Sequence, residues 1–287
     1  MTGALAAYLY SRKEIKYSML AKRLQIVIVL IPVVVGLIAA GGWWFVIVVA
    51  LFAGIAAWEY WRIFKHGGYT PSLVIIMSGA VSLVLTRHLF GFAGSDIVLT
   101  VFLFAAIGYH VIAYEHGHLC AGCDFAITVA GVVYLGWTAA YFVSLRNLPD
   151  GLWWLMTVLP ASWFADSGAY LVGSHFGKHK FSPLISPKKT WEGYVGGIVI
   201  SIAATALLTQ LWHLRSPMVT PLRGSVLALC VSTLSPMGDL GISLIKRQFG
   251  VKDTSKLLPG HGGVLDRMDS LLWAVPIGYY VIGLLLS

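Results

Sequence analysis

Long runs of apolar residues, separated by short polar segments, dominate the chain. A transmembrane helix needs about 20 mostly apolar residues, and nine segments reach or approach this length. They lie near residues 24–40, 43–61, 72–88, 97–114, 125–144, 152–173, 194–213, 225–245 and 270–286. The pattern therefore predicts an all-α, polytopic integral membrane protein with about nine transmembrane helices.

The composition supports a membrane environment. Only 11% of the 287 residues are charged, whereas about 25% is usual in soluble domains. No linker, low-complexity tract or internal repeat marks off a separate soluble domain. We therefore distinguish N-terminal helices, residues 1–150, expected to serve structure, lipid access and dimer contacts, from a C-terminal part, residues 151–287. The longest polar loops, 174–193 and 246–269, lie in the second part, where we expect the functional chemistry.

Lys and Arg residues are distributed unequally between alternate sides of the predicted spans. With nine spans, sixteen lie in the N-terminal segment and in the loops that share its side, and four lie on the other side. Cytosolic loops carry an excess of Lys and Arg, so the N-terminus and both long loops are predicted to be cytosolic. Topology and attraction to anionic lipid account for the net charge of +8, and no nucleic-acid partner is expected.

Asp166 and Asp239 lie inside predicted spans, where an ionisable side chain is costly unless it is paired or binds something. We interpret both as functional. Asp239 is six residues from the cytosolic end of its span, a depth of roughly 9 Å that a lipid head group can reach. Lys246 follows two helical turns later and shares the helix face of Asp239. Glu59 and Asp124, in contrast, lie at predicted span ends, where no special role is expected.

The segment PGHGGVLDRMDS, residues 259–270, combines acidic, basic and glycine residues immediately before the last predicted span. Asp266 and Asp269 have i, i+3 spacing, which places both carboxylates on one helix face. A hard cation such as Mg²⁺, which uses one or two carboxylates together with water and phosphate oxygens, would relieve their repulsion. The helix macrodipole alone also favours acids at this position, so the pair does not by itself establish a metal site.

The residues around this pair favour phosphate binding. Gly262 and Gly263, next to His261, lack a Cβ and would let backbone N–H groups approach an anion at a helix N-terminus. Nearby bases, including those of the loop 174–193, are Lys178, Lys180, Lys188, Lys189, Lys246, Arg247, Lys252, Lys256 and Arg267. No Walker A sequence occurs, so a P-loop site is not supported. The sequence predicts a metal-assisted site for phosphate groups.

These residues resemble the signature of the phosphatidate cytidylyltransferases, also called CDP-diacylglycerol synthases. The similarity is continuous over SLIKRQFGVKDTSKLLPGHGGVLDRMD, residues 243–269. WFADSGAYLVG at 163–173 and SPKKTWEG at 186–193 also resemble segments of that family. Ser174 departs from the pattern, which has a basic residue there, and this departure puts a phosphate contact from that position in doubt.

The resemblance implies that CTP and phosphatidate react to give CDP-diacylglycerol and pyrophosphate with Mg²⁺, leaving room for a second cation. It implies a homodimer, contact with bilayer lipid, and a location in a bacterial inner membrane with the site on the cytosolic side. The residues that it assigns to catalysis are Asp239, Lys246, Asp266 and Asp269. The implied metal ligands are Asp239, Asp266, Asp269 and Asp166, and the implied phosphate-binding residues are Lys188, Lys189, Arg247, His261 and Arg267.

Two other functions stay open from the sequence. A CTP-dependent lipid-alcohol kinase would transfer the γ-phosphate and release CDP, so the products distinguish it from a cytidylyltransferase. A cation-coupled transporter would also place Asp166 and Asp239 in apolar helices, but it would leave the segment 259–270 unexplained.

A zinc site is a separate alternative for the segment HGHLCAGC. Its His116, His118, Cys120 and Cys123 are all zinc-ligand types. Eight residues are short for wrapping one ion tetrahedrally, and thiols in a cytosolic loop are unremarkable.

Overall fold

The computed structural model describes residues 32–257 and 262–286. The predicted span 24–40 is covered only from residue 32, and residues 32–40 are helical. His261 and the basic N-terminal segment lie outside the described residues.

Helices form most of the regular structure in the described residues, as the apolar pattern predicts. Six of them are long and apolar enough to cross a membrane. Some of these are interrupted, so the regular segments are more numerous. They are α1 (Gly42–His66), α2 (Leu73–Glu115), α3 (Ala121–Gly131), a π-helix (Val132–Trp137), α4 (Thr138–Arg146), α5 (Gly151–Phe176), α6 (Trp191–His213), α7 (Pro221–Leu234), α8 (Pro236–Gln248), α9 (Leu265–Met268) and α10 (Leu271–Leu286).

The 43-residue helix α2 folds back on itself at Gly91. A straight helix of this length would extend about 65 Å, roughly twice the thickness of a bilayer core. Gly91 has a positive φ of 61°, and Arg87 Nε donates to Ser95 Oγ at 3.1 Å across the bend. A Cβ on Gly79 would lie 3.2 Å from the ring of Phe102, whereas 23 residues of straight helix span about 34 Å. The two arms are therefore antiparallel, in agreement with separate predicted spans 72–88 and 97–114.

Contacts between segments that connect the helices show which of them lie at the same end of the helical bundle. At one end, Asp124 accepts hydrogen bonds from Thr70, and the Phe249 ring packs 5.0 Å from that of Phe64. At the other end, Ser216 Oγ donates to Asp150 Oδ2. The helix ends and loops at the first end carry eleven of the fifteen Lys and Arg residues within the described part of the chain.

The loop 174–193 contains a small β-hairpin that the sequence pattern does not predict. Strands β1 (Lys180–Ser182) and β2 (Ser186–Thr190) pair antiparallel, with Lys180 opposite Thr190. Strands this short, one of them containing a proline, leave no readable alternation of apolar and polar residues. The Phe181 ring stacks on that of Tyr194 at 5.2 Å and holds the hairpin against the start of α6.

The predicted span 225–245 is broken where α7 meets α8. Pro236 has no N–H to donate to the carbonyl of Ser232, so the helical hydrogen-bond ladder is interrupted. Gly238 follows, and a Cβ there would overlap the carbonyl oxygen of Asp269. The break and the glycine together bring α8 close to the start of α10.

Candidate active site

A cavity of about 580 Å³ opens at the end of the bundle that carries most of the bases. Its wall joins α5, the β-hairpin, α6, the break between α7 and α8, and the segment 266–270. Its charged wall residues are Asp166, Lys180, Lys188, Lys189, Asp239, Asp266, Arg267 and Asp269.

Asp266 is held by four hydrogen bonds from three residues. Its Oδ1 accepts from Lys246 Nζ at 2.6 Å. Its Oδ2 accepts from Thr254 N at 2.8 Å, Thr254 Oγ1 at 3.0 Å and Gly263 N at 3.0 Å. A carboxylate has about four acceptor positions, and a protein donor lies at each of those of Asp266, with the single Thr254 hydroxyl proton shared between Asp266 Oδ2 and Glu59 Oε2. These contacts suit a residue that organises the loop better than one that binds a metal.

Lys246 donates a hydrogen bond to Asp266, and it also attracts the carboxylate of Asp239, whose helix face its spacing predicts it to share. It comes two turns after Asp239 and was expected to neutralise phosphate, but its ammonium group pairs with Asp266 and is largely buried. The cavity wall, within the described residues, does not include Lys246. We place it behind the wall, where it compensates the charge of Asp266.

Gly262 and Gly263 pack against protein carboxylates. Gly262 has a φ of 80°, and a Cβ there would lie 2.7 Å from Asp266 Oδ2. A Cβ on Gly263 would overlap both Thr254 Oγ1 and Glu59 Oε1. The glycines are thus required for the close approach of these side chains, whereas the sequence suggested close approach to a bound anion.

Asp239 and Lys189 form an ion pair in the cavity wall. Lys189 Nζ lies 2.6 Å from Asp239 Oδ2, and the two side chains are 28% and 30% exposed. Ser243 Oγ donates to the other carboxylate oxygen at 3.2 Å. The pair joins the β-hairpin to α8.

Asp269 and Asp166 complete the acidic part of the wall. Ser270 N donates to Asp269 Oδ1 at 2.7 Å, and both Asp239 and Asp166 repel the buried Asp269 carboxylate. Three mutually repelling carboxylates at a cavity are a donor set that a divalent cation would stabilise.

The described residues contain no group of three or more His, Cys, Asp or Glu side chains arranged to hold a metal as they stand. Asp239 and Asp266 pair with Lys189 and Lys246 instead. Mg²⁺ at nucleotide sites needs only one or two carboxylates, with water and phosphate oxygens as its other ligands. Asp239 and Asp269 fit this requirement, with Asp166 beside them.

The remaining predicted phosphate-binding residues are divided between the wall and the outside. Lys188 and Arg267 line the cavity, as does Lys180, which was not among the site residues selected from the sequence. Arg247 instead donates through Nε to the Ile185 carbonyl at 3.2 Å and attaches α8 to the hairpin. Ser174 lies in the wall, but its hydroxyl donates to the Leu171 carbonyl at 3.0 Å.

Glu59, for which the sequence predicts no special role, is fully buried at 0% exposure and contacts the same loop. It accepts from the hydroxyls of Thr254 and Ser255 and from the N–H groups of Val264 and Leu265. The span was predicted to end at residue 61, whereas α1 continues to His66. With the observed end, Glu59 lies two turns inside the helix. Asp166 and Asp239 were selected as ionisable residues inside an apolar span, and Glu59 meets the same criterion.

The zinc alternative finds no support in the described residues. Cys120 and Cys123 are free and exposed, and His116 Nδ1 contacts the Ile112 carbonyl at 2.8 Å. None of the four side chains belongs to a group that could hold a metal.

Comparison with known proteins gives a consistent result. Residues 21–285 match the model of the cytidylyltransferase family. A phosphatidate cytidylyltransferase of Pseudomonas aeruginosa is 34% identical over 266 residues, covering 90% of this chain and 95% of that protein. One from Synechocystis is 31% identical over 275 residues, covering 83% and 88%.

Identity is higher over a shorter region. A phosphatidate cytidylyltransferase of Bacillus subtilis is 41% identical over 159 residues, which are 55% of this chain and 58% of that protein. The region in which the two sequences align thus covers somewhat more than half the length of this relative.

Proposed function

The chain belongs to the cytidylyltransferase family, and on this basis we propose that it transfers the cytidylyl group of CTP to phosphatidate. The products are CDP-diacylglycerol, the precursor of phospholipids, and pyrophosphate. The observation that carries the proposal is the cavity in which Asp239, Asp269 and Asp166 face Lys188, Lys189 and Arg267.

The substrates determine what the site must supply. A phosphate oxygen of phosphatidate, already ionised near neutral pH, attacks the α-phosphorus of CTP, and the bond to the bridging oxygen of pyrophosphate breaks. No protein nucleophile or strong base is needed. Because both reactants are anionic, positioning and charge neutralisation account for most of the catalysis.

The bases of the wall provide that neutralisation. Lys188, Lys180 and Arg267 line the cavity where phosphate groups would lie. Lys189 pairs with Asp239 and lines the cavity, where it would contact a phosphate that enters. Mg²⁺ would be held by Asp239 and Asp269, with Asp166 as a further ligand, and when bound would stabilise charge on the phosphate oxygens.

The position of the cavity suits one water-soluble and one lipid substrate. We propose nine membrane crossings with a cytosolic N-terminus, because the helix ends and loops at the cavity end hold most of the described Lys and Arg residues. CTP then enters from the cytosol of a bacterial cell and phosphatidate enters from the inner-membrane leaflet. A homodimer is proposed on the family resemblance.

The reaction is tested with purified protein in detergent, phosphatidate, Mg²⁺ and CTP labelled at the α-phosphorus. Label should enter the lipid, and EDTA should prevent this. Transfer of label from γ-labelled CTP to a lipid would instead establish a kinase. If neither label moves, the transferase proposal is wrong and transport becomes the function to test.

A further inference from the structure

Glu59 belongs to the N-terminal part of the chain, yet all the hydrogen bonds that its carboxylate accepts come from the segment 254–265, which leads to Asp266. Oε1 accepts from Ser255 Oγ and, at 3.0 Å, from Val264 N. Oε2 accepts from Thr254 Oγ1 at 2.9 Å and from Leu265 N at 2.7 Å. Four donors match the acceptor capacity of one carboxylate.

The two backbone donors explain why a negative charge is stable at this buried position. Val264 is the N-cap of α9 and Leu265 is its first residue, and the first N–H groups of a helix have no partner within it. A carboxylate that accepts from such groups forms strong charge-assisted hydrogen bonds. Glu59 thus fixes the position and direction of the chain immediately before Asp266.

Thr254 connects Glu59 to the site directly. Its hydroxyl lies 2.9 Å from Glu59 Oε2 and 3.0 Å from Asp266 Oδ2. Gly263 leaves no room for a side chain between these groups. Asp266 follows Leu265 in the sequence, and Asp269 comes one turn later, so a shift at Glu59 would move both carboxylates.

We infer that Glu59 is a positioning residue for the transferase reaction, setting the location of Asp269 and Asp266 from the opposite part of the chain. This inference rests on the proposed function. It assigns to the N-terminal helices a direct part in the geometry of the site, in addition to forming the helical bundle. Glu59 does not line the cavity, so it would act only through the loop.

The test compares Glu59→Gln with a matched control, Asp124→Asn. Asp124 is also a buried carboxylate, 2% exposed, that accepts a backbone N–H and a hydroxyl, both from Thr70. It does not line the cavity. Both variants replace a buried acceptor by an amide that places an NH₂ group against donors, so both should lower the melting temperature in detergent.

Only Glu59→Gln should change the chemistry. We expect its kcat to fall on the order of 10²-fold, the loss that a misplacement of about 1 Å can cause, while KM for CTP stays within about threefold. Asp124→Asn should keep the wild-type kcat at temperatures where it is folded. Equal kcat values for the two variants would overturn the inference.

Ser255→Ala keeps the test decisive if Glu59→Gln does not fold. It removes one donor to Glu59 and leaves the carboxylate in place. A reduced kcat with an unchanged KM and a folded protein supports positioning, and an unchanged kcat refutes it. The wild type is assayed first, because a wild type without cytidylyl transfer would refute the proposed function instead.

Discussion

Lys246 and Asp266 form a 2.6 Å ion pair whose side chains are only 11% and 6% exposed. They are 20 residues apart and come from different helices, α8 and α9. Asp266 lines the cavity and Lys246 lies behind its wall, so the pair joins the loop that Glu59 holds to the helix that carries Asp239. It is therefore part of the support of the site.

Replacing Lys246 by Met should destabilise the protein strongly. Removal of one partner from a buried pair leaves an uncompensated charge and costs about 3–5 kcal/mol. We expect a lower melting temperature in detergent and a loss of activity, whereas Lys256→Met, at an exposed position, should change neither. The double variant Lys246→Met/Asp266→Asn should recover part of the stability. A single variant as stable as the wild type would contradict the burial of the pair.

Asp269→Asn and Asp266→Asn should differ in metal binding. Asp269 has acceptor positions left for a cation, whereas protein donors occupy those of Asp266. We expect Asp269→Asn to weaken Mn²⁺ binding, measured by electron paramagnetic resonance, and to lower kcat by about 10²–10³-fold, as removal of one charge-stabilising group does. Asp266→Asn should lower stability while retaining more of the Mn²⁺ affinity. The reverse order would make Asp266 the metal ligand.

Lys189→Gln should lower kcat/KM for CTP. The side chain stays polar but is one atom shorter and loses the charge that we assign to phosphate binding. Since a hydrogen bond to a charged group contributes about 1.5–3 kcal/mol, kcat/KM for CTP should fall by about 10- to 100-fold. Steady-state kinetics at saturating phosphatidate measure this, with Lys252→Gln as the control at an exposed position. Equal values for the two variants would exclude a role for Lys189.

Gly263→Ala should prevent the loop from forming as observed. The added methyl group would overlap Thr254 Oγ1 and Glu59 Oε1, and the buried backbone around them has little room to move. We expect a strongly reduced melting temperature and little activity. Gly108→Ala is the control, because that helical glycine has no atom within 4 Å of the added group. A stable and active Gly263→Ala variant would show that the loop is less closely packed.

The proposed orientation can be measured with the natural cysteines. Cys120 and Cys123 are exposed and lie at the same end of the bundle as the cavity. A membrane-impermeant maleimide should label them in inside-out vesicles but not in right-side-out vesicles. The variant Cys120→Ser/Cys123→Ser should lose this labelling. Labelling of right-side-out vesicles alone would invert the topology.

Patterns that are local in sequence were sufficient to predict the helices and to select the charged residues of the site. Apolar length predicted the spans, including two where α2 folds at Gly91. The acids Asp166, Asp239 and Asp269 and the bases Lys188, Lys189 and Arg267 were all selected from the sequence, and the fold brings them to one cavity. A charged residue in an apolar helix is costly, and this cost is visible without knowledge of any neighbour.

The partners of those charges were decided only by the tertiary structure. Spacing along one helix placed Lys246 on the face of Asp239, and only the tertiary structure adds its ion pair with Asp266. Glu59 accepts a hydrogen bond from Leu265, 206 residues away. A helical repeat in the sequence relates only residues a few positions apart, so it cannot predict this contact. The sequence by itself determined that the chain lies in a lipid bilayer, where its helices are, and which acidic and basic residues come together at the cavity. Which donor satisfies which carboxylate, and hence which acids are left for a metal, depends on how helices distant in sequence pack together.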